Sequence, residues 1–168
     1  VYGYSMVCIG FGQGISPIVS ICWGAKEKET ATKIRSITNR ILLAIGTLTA
    51  LSFFIAGKRY AEIFGCSNSI ADMVATGFRI YAITFLAMGY DVTGSMYFTS
   101  CGDAKSSAII SSLRGIVLLL AFILIFPAIF GMNGVWMASP CAEILTAIVT
   151  FVLIRRQVRK NKEEENGR

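Results

Sequence analysis

Three ionisable side chains stand inside long apolar stretches of this sequence: Asp91, Arg114 and Glu143. A charge near the middle of a hydrocarbon layer costs about 3 kcal/mol, so such a residue marks a partner, an ion or a proton path. Asp91 lies 12 residues before Asp103 and Arg114 lies 11 after it. In an antiparallel hairpin turning at Gly102-Asp103 the two reach the same depth, given the common rise per residue. That spacing predicts an Asp91–Arg114 ion pair, in which each charge offsets much of the other's desolvation. Asp91 also shares a helical face with Thr84, Met88, Ser95 and Thr99, a polar stripe that must look at protein or at a water-filled cavity. Glu143 shares a stripe with Trp136, Ser139, Pro140, Thr146 and Thr150. It reads either as a proton-carrying group or as a polar contact between helices. Arg40 and Arg79 lie nearer the ends of their stretches, where a long side chain snorkels to the interface.

The elements that must hold these groups follow from composition. The chain has 168 residues, 54% of them hydrophobic and only 15% charged, with a mean hydropathy of +0.62. A soluble domain carries about 25% charged residues, and one of this length lacks the polar surface to wrap five apolar helices. A membrane span needs about 20 mainly apolar residues, and five candidates read out: 1–22, 37–56, 73–100, 108–130 and 134–154. The expected fold is therefore an all-α integral membrane bundle of five transmembrane helices, residues 1–154, with a charged tail at 155–168. Gly24 to Glu29, Gly57 to Arg59, Gly65 to Ser69, Gly102-Asp103 and Gly131 to Gly134 read as turns. No stretch alternates with period two for long enough to suggest a membrane barrel.

Charge sets the expected orientation. Lys26, Lys28, Lys33 and Arg35 follow the first span, Lys105 the third, and Arg155, Arg156, Arg159, Lys160, Lys162 and Arg168 the fifth; the opposite side has Lys58 and Arg59. The positive-inside rule places the tail in the cytoplasm. Val1 then falls on the outer side with no leader before it, which predicts a piece of a longer protein. The tail arginines suit anionic headgroups rather than nucleic acid. Catalysis finds little support. The sequence has no His, hence no His base or triad. Its five cysteines form no C-x-x-C pair and read as small buried thiols. No cofactor or resident metal is expected. In the first span Gly10 and Gly14 form a G-x-x-x-G, expected either to pack against a neighbouring helix or to mark loosening near Pro17. Gln13, Ser16 and Ser20 give that span a polar edge that either lines a cavity or bonds another helix.

The run from Gly10 through Gly12, Gln13, Gly14, Pro17 and Ile18 to Trp23-Gly24-Ala25-Lys26 resembles the eighth-helix signature of MATE (multidrug and toxic compound extrusion) transporters. Arg79-Ile80-Tyr81, Met88-Gly89, Ser95 to Phe98 and Gly102 to Lys105 resemble the tenth helix and its turn, and Ser112-Leu113-Arg114 the start of the eleventh. Gly131 to Ala138, with Pro140 and Glu143, resembles the twelfth. The resemblance implies helices eight to twelve of a twelve-helix, two-lobe bundle, with an N-terminal lobe of the same protein as partner. It implies a multi-pass protein of the cell membrane that expels amphipathic or cationic small molecules against entry of Na+ or H+, by alternating access. Some members carry a cation-binding Asp on the tenth helix, which here falls near Met88, one turn from Asp91. Asp91 is thus a candidate for a transported Na+ or a proton, in a network with Arg114 and Glu143, and Gln13, Ser16, Thr84, Met88 and Ser95 are candidate cavity-lining residues. Two alternatives remain open. One is a flippase for lipid-linked saccharide from the same superfamily, and the other is a non-transporting membrane subunit.

Overall fold

The computed structural model describes residues 2–63 and 68–166. They form α1 (Tyr2–Gly24), α2 (Lys28–Ile63), α3 (Asn68–Ser100), α4 (Ala104–Ser112), a π-helical turn (Leu113–Val117), α5 (Leu118–Phe130) and α6 (Met132–Asn166). α4, the π turn and α5 run on as one rod, so five helical rods stand in the positions of the five expected spans. In hydrocarbon a helix is the solution that satisfies every backbone N–H and C=O within its own segment. Gly65 to Ser67, including Cys66, lie outside the described residues.

α3 is the hub. It packs against α1, α2 and α6 and meets the start of the fourth rod through α4, whereas α5 packs on α6. Among the described residues four rods are long and apolar enough to cross a membrane: Gly3–Gly24, Lys28–Gly57, Ala104–Phe130 and Met132–Asn161. α3 is outside that set because it carries Arg79, Asp91 and several hydroxyls. Its sheath of neighbours removes the need for an apolar surface. The fourth rod shows the converse: its most apolar window is not buried at all within the chain, and its mean hydropathy of 2.6 is the highest of the four.

Two apolar clusters hold the bundle. Tyr4, Cys8, Leu42, Phe85, Met88 and Val92 join α1, α2 and α3. The Tyr4 hydroxyl donates to the Leu42 carbonyl at 2.8 Å across this cluster. Val19, Ala31, Tyr97, Phe98, Ile110 and Ile154 form the second, where α1, α2, α3, α4 and α6 come together. The turn after α3 is made by Gly102 at φ 78°, and the next by Gly131 at φ 58°, left-handed values that glycine adopts without a Cβ penalty. Asp103 caps α4: Ser106 donates to its carboxylate through the backbone N–H at 3.2 Å and the hydroxyl at 2.7 Å. The Ser106 bonds hold the Asp103 carboxyl below the ordinary range.

Three expectations change. α2 starts at Lys28, well before residue 37, and α6 continues to Asn166, so most of the charged tail is helix. At about 1.5 Å per residue both exceed the roughly 30 Å hydrocarbon layer, so their charged ends project beyond it. The expected turn from Gly131 to Gly134 contracts to Gly131, because Met132 already begins α6. Among the described residues the close contact of α1 falls at Gly12 rather than at Gly10 or Gly14, where packing is one of the two readings of the G-x-x-x-G. A Cβ at Gly12 would stand 2.8 Å from Cγ of Met96, while one at Gly10 or Gly14 would meet nothing within 4 Å. Two residues turn a helix by about 200°, so the G-x-x-x-G lies on the face of α1 turned away from α3. Pro17 is exposed there, and the helix passes through it without a break.

Candidate functional site

Asp91 stands on the face of α3 that meets α6, and its relative exposure is 0%. The hydroxyl of Thr150, on α6, donates to Asp91 Oδ1 at 2.9 Å. Asp91 Oδ2 is buried with no hydrogen-bond partner among the described residues. The helices come close here because Gly94, one turn along α3, lies against the Thr150 methyl.

Arg114 does not pair with Asp91. Its Nε donates to Glu143 Oε1 at 2.9 Å, which corrects the pair expected from the hairpin spacing. The depth argument fixed the level of Arg114 but not its bearing. The π turn Leu113–Val117 closes with the Leu118 N–H bonded to the Leu113 carbonyl. This i→i+5 step adds a residue to the turn and changes the phase of the rod, and Glu143 lies close enough on α6 to take the guanidinium. Glu143 Oε2, like Asp91 Oδ2, is buried with no hydrogen-bond partner among the described residues.

The three ionisable groups are nonetheless brought together. Asp91, Arg114 and Glu143 all line one cavity of about 430 Å³, with Ser95 and Ser111 adding hydroxyls and Val92 and Met96 apolar walls. Ser95 lies within hydrogen-bond distance of Ser107 and Ser111, at 3.1 and 2.9 Å. This polar contact joins α3 to α4. Two carboxyls, one guanidinium and two hydroxyls around one partly open cavity can hold a cation or pass a proton, since a hard cation takes oxygen ligands.

The remaining candidates separate from this cavity. Met88 belongs to the core against α1, where the Ser5 hydroxyl reaches its sulfur at 3.6 Å. Thr84 is buried, its hydroxyl without a partner among the described residues, and it lies outside the cavity lining. Ser16 bonds Ser100 at 2.7 Å and so ties α1 to α3. Gln13 is exposed, on the same side of α1 as Gly10, Gly14 and Pro17. Sequence reasoning missed two features. Thr150 stood in the Glu143 stripe but was not read as the donor to Asp91. The π turn carried one local signal, Gly115 beside Arg114 in mid-span.

A helical membrane bundle around a buried carboxylate–guanidinium cluster defines an integral membrane protein with a charged intramembrane site. The MatE family model matches residues 2–125, and the chain belongs to that family. It is similar to the multidrug export protein MepA of Staphylococcus aureus, 20% identical over 154 residues that make up 89% of this chain and 33% of that protein. It is also similar to the Bacillus subtilis protein named "Probable multidrug resistance protein YoeA", 26% identical over 161 residues, 92% of this chain and 34% of that one. The chain thus spans about a third of the length of these relatives. Among solved structures, the outward-facing conformation of a multidrug resistance MATE family transporter of the MOP superfamily superposes with a TM-score of 0.85. It is 19% identical, and the match covers 96% of this chain and 38% of that one, which shows a shared fold.

Proposed function

We propose that this chain forms part of a secondary active multidrug efflux transporter, in which cation entry drives the exit of cationic or amphipathic molecules by alternating access. The observation that carries the reading is the charge balance of the cavity: two carboxyls, Asp91 and Glu143, against one guanidinium, Arg114. Arg114 is bonded to Glu143. Asp91 accepts from the neutral Thr150 hydroxyl, and its Oδ2 has no hydrogen-bond partner among the described residues; a carboxyl so placed carries either a proton or a charge that calls for a cation. A coupling ion, Na+ or H+, suits that carboxyl, with Asp91 as its principal ligand or carrier and Ser95 and Glu143 lining the same cavity. The same balance runs against an anionic lipid-linked substrate, which favours basic linings. Two buried acids also run against a purely scaffolding subunit, which has no need of them.

The test is Asp91→Asn in the full-length protein, where the amide oxygen keeps the Thr150 bond and the charge is gone. Ion-driven efflux of a cationic dye from a pump-deficient host should fall to background, with insertion and dye binding retained. Normal ion-coupled efflux by this variant would overturn the role of Asp91 and move it to Glu143.

A further inference from the structure

A second cavity, of about 420 Å³, opens between α2, α3 and α6 at the basic end of the bundle, and it shares no residue with the Asp91 site. Arg35 lines it. Its relative exposure is 8%, and its Nε and Nη1 are buried with no hydrogen-bond partner among the described residues. The guanidinium is held between two rings, 5.8 Å from the centroid of Tyr90 and 5.6 Å from that of Tyr97, contacts that fix a cation without using its N–H groups. Arg155 and Arg159 line the same space. Arg155 lies 4.4 Å over Phe151, and Arg159 bonds Glu163 at 3.0 Å. Among the described residues Glu163 is the acidic side chain lining the cavity, so three guanidinium groups there face one carboxylate.

The other wall is apolar: Phe151, Ile154 and Val158. Exposed Ile148 and Ile144 continue from Phe151 along α6 toward the middle of the bundle. Buried donors without acceptors are costly, and the planar fork of an arginine matches phosphate oxygens. An apolar track leading from the fork into the membrane matches an acyl chain. We infer that this cavity is a binding site for an anionic phospholipid. The headgroup phosphate bonds Arg35 and Arg155, and one acyl chain lies along the Phe151 side of α6.

The test uses the full-length protein purified in detergent and three probes: phosphatidylglycerol, phosphatidylcholine with the same chains, and inorganic phosphate. Thermal stability and lipid retention in native mass spectrometry are read for each. Phosphatidylglycerol should be retained and should raise the melting temperature with increasing concentration, while the other two should do neither. Arg35→Gln should weaken phosphatidylglycerol binding about tenfold and Arg155→Gln about fivefold, in line with the contribution of single basic residues at anionic membranes. Arg155 is exposed, so its variant keeps the test usable if Arg35→Gln does not fold. Equal retention of phosphatidylcholine overturns the inference. So does a full stability shift from inorganic phosphate alone, which would make this a free-anion site. Unchanged phosphatidylglycerol binding by both variants overturns it as well.

Discussion

At the scale of single residues, the spacing of charges told how deep each one lies but not which partner it faces. Depth follows from a constant rise per residue. Bearing depends on the rotation of each rod, and the π turn around Arg114 alters that rotation in a way no spacing rule anticipates. Hence Asp91, Arg114 and Glu143 reach one cavity, while the guanidinium bonds Glu143 at 2.9 Å. A double-mutant cycle checks this assignment. Arg114→Gln and Glu143→Gln should each destabilise the protein by about 2–3 kcal/mol, because each leaves a charged partner in a largely buried site. The combined variant should cost clearly less than the sum. The cycle Arg114→Gln with Asp91→Asn should show a smaller coupling. Additive losses in the first cycle and strong coupling in the second would restore the pair that the sequence spacing suggested.

Among the elements, the helices were legible because a bilayer demands long apolar runs and the turns between them carry glycine. Their ends were less legible. α2 and α6 outrun the hydrocarbon at about 1.5 Å per residue, and beyond it hydropathy no longer reports helicity. The glycines teach a related lesson, since the G-x-x-x-G pattern is conspicuous in sequence yet the tight contacts fall elsewhere. A Cβ at Gly134 would run into the backbone carbonyl of Phe126, where α5 and α6 begin to diverge from their turn. Gly134→Ala should therefore cost about 1–3 kcal/mol through overpacking, as a rigid backbone cannot give way cheaply. Gly10→Ala, with nothing within 4 Å of the new methyl, should instead stabilise α1 by up to about 1 kcal/mol. Thermal unfolding of the two variants separates these cases. A loss at Gly10 would show that another part of the assembled protein covers that face of α1.

For the molecule as a whole, the antiparallel order makes orientation a single question. The turn between α1 and α2, the turn between α3 and α4, and the end of α6 all lie at one end of the bundle. Trp23 and Tyr97 meet there with ring centroids 6.3 Å apart. Arg35 shares a cavity with Arg155, and Asp103 shares another with Arg156 and Lys160. Lys26, Lys28, Lys33, Arg35, Lys105 and the arginines of α6 are thereby gathered on one side, while Lys58 and Arg59 stand on the other. Short basic segments stay on the cytoplasmic side during insertion, so the end holding Arg155 should face the cytoplasm. A fluorescent reporter fused after Arg168 should glow, and alkaline phosphatase at the same point should be inactive. Cys66 lies between α2 and α3 on the opposite side in sequence, and in intact cells it should react with a membrane-impermeant maleimide. Because the helices alternate in direction, one reporter fixes every turn. An active phosphatase with labelling of Cys66 only after permeabilisation would invert the whole bundle and leave its basic end outside.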